Sequence, residues 1–441
     1  MPETRPARPS IGVAIAAAEA RQRKSMLRNH GGGHAPVSNL ELFFDLVFVF
    51  AITQLSHFFG HHPGWLGLVE GLTLFLALWW GWMYTTWVTN WLNPDRLPVR
   101  LMLLVLMLLS LGMAVALPKA FAGKGLEFAL CYVAIQLGRS GWVTWAFFRE
   151  AAPNARNMLR ITLWFCLSAP LWIGGALAGG GLQVGLWLAA LAIEYTGPFA
   201  LYRVPGLGRA RTSDWDISGS HMAERCGLFI IIALGEGIVV TGASFAAGPA
   251  DAPHIRALLI AFVTSALMWW LYFDLGATRG SQLIAGHSHV GRIARNAYTY
   301  LHMPIVLGIV IAAVGDALLL EAPAAPASIE LVAVQTGGAL LFLIGVGLFK
   351  RHANTLGNFP MSHIVAVLAF AALGWLARGE TMPGLAFAGW GAAILLVTSV
   401  WEWVSYHGGW MERADRIGLR VPQVIRERAE RRRAEMERRR S

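Results

Sequence analysis

Apolar stretches of membrane length recur along the chain and are separated by short polar breaks. They lie near 42–60, 65–88, 99–118, 126–148, 159–178, 183–203, 224–246, 255–276, 299–319, 330–349, 361–377 and 383–406. At about 1.5 Å per residue, an apolar helix of roughly 20 residues crosses ~30 Å of hydrocarbon. The breaks carry turn chemistry, as in HHPGW (61–65), NPDRLP (93–98), AGGG (178–181) and EAPAAPAS (321–328), where proline and glycine disfavour a continuing helix. The pattern predicts an all-α, polytopic transmembrane helical bundle of about 12 spans. An even number of spans puts both termini on one side.

Composition points to a lipid solvent. Of 441 residues, 56% are apolar and only 14% are charged, whereas water-soluble domains carry about 25% charged residues. Charge then orients the spans. Of the 36 Lys and Arg, only Lys119, Lys124, Arg256 and Arg378 fall on the odd-numbered connections, and Arg139 lies inside the fourth span. The others occupy the tails and the even-numbered connections, so the positive-inside rule places both ends in the cytoplasm. Residues 1–36 are polar, basic and Gly-rich, without the short apolar core of a cleavable signal. Topology thus accounts for the net charge of +10. The basic tails are expected to lie against the anionic cytoplasmic leaflet rather than to bind nucleic acid.

Two related segments suggest duplication. VSNLELFFDLVFVFAITQLSHF (37–58) and GSHMAERCGLFIIIALGEGIVV (219–240) align at an offset of 182, which matches Asn39 with His221, Ala51 with Ala233 and Gln54 with Glu236. Trp79-Trp80 is echoed by Trp269-Trp270, and Phe148-Arg149 by Phe349-Lys350. The reading is two parallel six-helix repeats, 37–203 and 221–406. A cytoplasmic linker (204–220) joins them, between a flexible basic N-tail (1–36) and an Arg-rich C-tail (407–441). Transporters are often built this way, with sites at the repeat interface.

Polar residues within the spans are the candidate chemistry. A carboxylate at mid-span costs roughly 2.5–3.5 kcal/mol on insertion scales, so it normally faces a partner, water or a ligand. Glu236 is the deepest acid, flanked by Gly235 and Gly237, which could admit a close backbone or ligand. Arg139, beside Gln136, is its candidate partner, and Glu194 is the other acid that could meet Arg139. Glu41 and Asp45 share a helix face at spacing i, i+4. Arg225 and Glu236 lie eleven residues apart on one stripe, about 16 Å along the axis. The expected pathway comprises Glu236, Arg139, Glu194, Asp45, Gln54 and Gln136, with Glu41, His221, Glu224 and Arg225 at the cytoplasmic mouth. The bland alternative is an ion-pair network that only fixes helix packing. His221 and Glu224, at i, i+3, could hold a metal or pass a proton, or could simply be helix-start residues. No complete metal set or cofactor motif is present. Cys131, Cys166 and Cys226 lack paired spacing, and there is no phosphate loop, dinucleotide fingerprint or GxSxG elbow.

ELFFDLVFVFAITQLS together with HMAERCGLFIIIALGEGIVV resembles the bacterial low-temperature-requirement A (LtrA) family, over nearly the whole chain apart from its tails. Glu41, Phe44, Asp45, Gln54, His221, Glu224, Arg225, Gly235 and Glu236 carry the resemblance. It implies a polytopic inner-membrane protein linked by name to growth in the cold, and it brings no settled substrate or reaction. The expectation is a transporter or channel for a small solute or ion. A membrane enzyme acting on lipid or an isoprenoid carrier, and a scaffold or sensor, are the alternatives. The residues name neither the solute nor an oligomeric state.

Overall fold

A computed structural model of the chain describes residues 25–28, 36–150, 152–210, 218–274, 295–352, 358–380 and 382–407, with a few positions of the C-terminal tail. The rest of both tails lies outside the described residues, as does 211–217 of the linker. Among the described residues the chain forms twelve long α-helices and no strand. In order they are α1 (Asn39–His61), α2 (Trp65–Trp91), α3 (Leu97–Ala116), α4 (Gly125–Arg149), α5 (Ala155–Ala178) and α6 (Gly180–Thr196). The second six are α7 (Gly219–Ala247), α8 (Ala252–Tyr272), α9 (His302–Glu321), α10 (Ile329–His352), α11 (Met361–Ala377) and α12 (Gly384–His407). A π-helical turn, Arg295–Tyr300, leads into α9.

Local chemistry sets the helix starts. Ser38 and Glu41 form a reciprocal capping box on α1, Ser218 caps α7, and Asp251 caps α8 by accepting the His254 N–H at 3.0 Å. Nine of the described helices are long and apolar enough to cross a membrane. Of the other three, α6 and α11 have 17 residues each, and α4 carries Glu127, Arg139 and Arg149. On α3, Leu97, Leu101, Leu104, Leu108, Leu111 and Val115 form an exposed apolar stripe, while Val99, Leu103, Leu106 and Met113 are buried. Such a stripe is an aggregation hazard in water and a lipid-facing surface in a bilayer. The fold is a multi-pass helical membrane bundle.

Neighbour relations recur between the first six helices and the second six. α1 packs on α2 and α3, the chain α3–α4–α5–α6 follows in contact, and α6 returns to α2. Likewise α7 packs on α8 and α9, α9 to α12 follow in contact, and α12 returns to α8. The two sets meet where α1 touches α7 and α9, and where α2 touches α7. Their burial differs. Trp79 and Trp80 of α2 are interior, whereas Trp269 of α8 is 51% exposed, so the matching Trp pairs occupy different surroundings.

The tightest helix pair is α9 with α10. A Cβ at Gly308 would lie 2.5 Å from the Phe342 N, and one at Gly338 would lie 2.8 Å from the Ala312 N. Gly345 is as close to Ile305. Small residues at this spacing let backbones touch, which in lipid supplies dispersion contacts that the hydrophobic effect does not. Gly308→Val or Gly338→Val should therefore lower stability by about 1–3 kcal/mol through overpacking. Gly235→Ala, where a Cβ meets nothing within 4 Å, should leave it unchanged or slightly higher. Thermal unfolding of the purified variants in detergent would distinguish these outcomes, and equal melting of all three would mean the close approach is not formed.

Candidate functional site

Two i, i+4 pairs interlock where α1 and α7 begin. Glu41 and Asp45 on α1 face His221 and Arg225 on α7, and all four are fully buried. The His221 Nε2 lies 2.8 Å from Glu41 Oε1. Arg225 Nη2 donates to Asp45 Oδ1 at 2.6 Å, and its Nη1 lies 3.6 Å from Glu41 Oε1. Partners at residue offsets of 180 and 180 require α1 and α7 to run parallel and in register. Acids of the first segment thus meet bases of the second across the α1–α7 seam.

α2 closes the cluster from a third side. The Trp82 Nε1–H donates to Asp45 Oδ1 at 2.7 Å, and Thr86 accepts from Arg225 at 3.4 Å. Asn90 fixes the histidine tautomer. The Ser218 N–H donates to Asn90 Oδ1 at 3.0 Å, which orients the Asn90 amide so that its Nδ2 points at His221 Nδ1, 3.3 Å away. With Nδ1 accepting, the ring proton sits on Nε2 and is donated to Glu41. Ser38 donates to Glu41 Oε2 through its backbone N–H (2.8 Å) and its hydroxyl (2.9 Å). Arg28 adds a second guanidinium at 3.2 Å. Two carboxylates thus face two guanidiniums, and the cluster is neutral when His221 is neutral. Residues 25–28 are held there by backbone bonds, Arg28 N–H to Trp91 O at 2.8 Å and Asn93 N–H to Met26 O at 2.9 Å. The Met26 N–H also donates to Glu150 at 2.6 Å.

The remaining candidates separate into other groups. Arg139 does not meet Glu236. Its guanidinium donates to Gln136, to Gly81 O and to Thr85 Oγ1, the last two at 3.2 Å. Glu194 is reached only through a relay, because Gln136 donates to Tyr132 Oη at 2.8 Å and Tyr132 donates to Glu194 at 2.5 Å. Ser168 and Trp172 complete the Glu194 shell at 2.7 and 3.0 Å. The predicted Arg139–Glu236 pairing is therefore replaced by side-chain satisfaction within α2, α4, α5 and α6. Glu224 accepts the Val37 N–H at 3.3 Å, while His221 is turned to Glu41. Gln54 is half-buried, apart from the ionic cluster.

Glu236 is 6% exposed, and its Oε1 has no hydrogen-bond partner among the described residues. Gly235 and Gly237 do not admit a close helix, because the nearest atom to a Cβ at Gly237 is Ala313 Cβ at 3.4 Å. Ser56, eleven residues beyond Asp45, is also buried with a hydroxyl lacking a partner. Asp316 on α9 is a buried acid whose Oδ1 accepts from Gln335 Nε2 at 3.5 Å, one turn from Ala313. Asp316, Trp82, Thr86, Asn90 and Arg28 were not singled out in the sequence. A lone acid in an apolar span was a readable signal for Asp316, whereas the α2 residues required the helix arrangement. A second buried cluster joins Lys350, Ser362, His363 and Glu402 across α10, α11 and α12, with His363 3.1 Å from Glu402. Among the described residues no group of three or more His, Cys, Asp or Glu gathers as metal ligands.

A family model described as bacterial low temperature requirement A protein matches residues 36–401. An uncharacterized protein of Rhizobium meliloti (strain 1021) is 39% identical over 380 residues, covering 86% of this chain and 92% of that protein. No solved structure matches. Glu41, Asp45, Trp82, Asn90, His221, Arg225 and Glu236 fall inside the family match, and Arg28 falls outside it.

Removing one member of a buried charge cluster strands the others, at a cost of about 3–5 kcal/mol. Arg225→Met should show a loss of that size, and Asp45→Leu in the same chain should restore a large part of it. Denaturant unfolding of the two single variants and the double variant gives the coupling, expected at about 1–3 kcal/mol. Strict additivity would mean that Arg225 and Asp45 do not touch.

Proposed function

The chain belongs to the bacterial low temperature requirement A family, and we propose that it moves a small solute or ion across the bacterial cytoplasmic membrane. The observation that carries this reading is the α1–α7 seam. It has a charge-balanced ionic cluster at one end and, three turns further along the same α7 stripe, a buried Glu236 oxygen without a partner. An unpaired acid at that depth is costly unless it takes up a proton or a cation. Positive-inside charge supports a cytoplasmic position for the end that holds the cluster. The repeated neighbour relations of α1–α6 and α7–α12 support a duplicated, parallel six-helix architecture with α1 and α7 in corresponding places.

In this mechanism Arg225, bridging Glu41 and Asp45, locks the cytoplasmic mouth. Ionic groups hydrate well, so a buried cluster and a water-filled mouth are two states of comparable free energy for the same residues. A proton added to Asp45, Glu41 or His221 removes the charge balance and weakens the lock. Glu236 then binds the coupling proton or cation three turns beyond that lock, and Ser56 on the facing stripe of α1 supplies a further oxygen. Arg139, Gln136 and Glu194 hold the first six helices together rather than line the route.

Flux driven by a pH gradient into liposomes containing the purified protein tests the reading, over a panel of ions and small solutes. Glu236→Gln should abolish coupled flux at least tenfold below wild type, as expected when the acid that takes up the coupling proton or cation is lost, while thermal unfolding stays within ~1 kcal/mol. Equal flux from the folded variant would remove Glu236 from the mechanism. No flux from folded wild-type protein in any condition would favour the enzyme or scaffold readings.

A further inference from the structure

The face of α2 turned away from the ionic seam lines a separate cleft. Trp80, Tyr84, Trp87 and Trp91 recur on one stripe of the helix, and Tyr202 and Arg295 face them across the space. The opposite stripe of the same helix carries Trp82, Thr86 and Asn90 to the ionic cluster. α5, the turn at 198–202 and the π-helical turn complete the walls. From Trp80 to Trp91 the aromatic stripe runs about 16 Å along the helix axis.

The polar atoms of this cleft are mostly satisfied, and the exceptions have one character. The Tyr84 and Tyr202 hydroxyls bond each other. Thr299 accepts the Trp87 Nε1–H on its hydroxyl at 3.1 Å and the Trp79 Nε1–H on its carbonyl at 2.8 Å. The Trp80 indole N–H, fully buried, has no partner among the described residues. Arg295 donates to Pro198 O at 2.9 Å and to Asn296 Oδ1 at 3.3 Å, and among the described residues no carboxylate pairs with it. What the cleft leaves over is a positive charge on otherwise apolar aromatic walls, so the complementary ligand has an apolar body and an anionic head.

We propose that this cleft binds a single-chain anionic amphiphile, its head at Arg295 and its chain along the aromatic stripe of α2. A fatty carboxylate and an isoprenyl phosphate share this chemistry. The site is spatially separate from the α1–α7 seam, because it uses the other face of α2.

The test uses the full chain in nanodiscs of zwitterionic phosphatidylcholine and a palmitate bearing a diazirine on its chain. Photolabelling followed by peptide mapping should place the label on peptides containing residues 80–91 and 295–300. Arg295→Gln should reduce that labelling by about tenfold, the loss expected for one charge-assisted contact. Hexadecanol with the same diazirine should label the cleft about tenfold more weakly on the wild-type protein, a comparison that needs no variant to fold. Unlabelled palmitate and geranylgeranyl phosphate should both compete, and the stronger competitor identifies the head group. Label confined to lipid-facing positions such as Leu104 and Leu108, or equal labelling by the acid and the alcohol, would overturn the proposal.

Discussion

Charge that enters a lipid-embedded bundle must be balanced or hydrogen-bonded, and at the α1–α7 seam this constraint fixes the centre of the fold. Glu41 and Asp45 lie one helical turn apart on α1, as His221 and Arg225 do on α7. A slip of one residue in either helix would turn its charges by about 100° and strand them. The register of α1 on α7 is therefore set by ionic groups, and shape complementarity follows from it. The remaining donors and acceptors of the cluster need a third helix, which is why α2 is interior and carries Trp82, Thr86 and Asn90 there. Its echo α8 has no such duty and lies with Trp269 exposed.

The span pattern was legible because lipid imposes it residue by residue. Twelve apolar runs read from the sequence correspond to twelve helices, including α6 and α11 at 17 residues. Glu41 and Asp45 were legible as one face of α1, and Glu41, His221, Glu224 and Arg225 as residues of one helix-entry region, because they open two related segments. Their mutual pairing was not, since periodicity gives the face of a helix and never the neighbour it turns to. The same gap explains Arg139. One cation and several acids within spans suggested a direct ion pair, whereas Gln136 and Tyr132 satisfy Arg139 and Glu194 through neutral links. Gly235 and Gly237 were read as close-approach positions from their flanking of Glu236. The glycines that do let backbones touch are Gly308 and Gly338, which no motif marks.

Two kinds of seam thus coexist around α9, which touches α1, α7, α8 and α10. Against α10 it is dry and backbone-close, and such packing deforms little because its contacts are lost together when the helices separate. The α1–α7 seam is instead built of groups that water would also satisfy. Asp316 sits on α9 between these regimes, buried with a long contact to Gln335 of α10. The proposed opening at the α1–α7 seam rests on this contrast, which a uniformly apolar or uniformly glycine-packed core would not provide.

α2 joins the ionic seam to the aromatic cleft because one helix supplies a wall to both. Trp82 and Thr86 hold Asp45 and Arg225, while Trp80, Tyr84 and Trp87 line the cleft between them in sequence. Trp79 and Trp87 further tie this stretch to Thr299 in the turn before α9. A rotation of α2 that freed Asp45 would re-aim the cleft residues through the same angle, since a helix turns as a rigid element. If an amphiphile in the cleft favours one orientation of α2, the state of the ionic lock must favour or oppose that amphiphile by the same free energy, because coupling between two sites is reciprocal. Membrane composition would then bear on opening at the mouth without any contact between the lipid-like ligand and the moving solute.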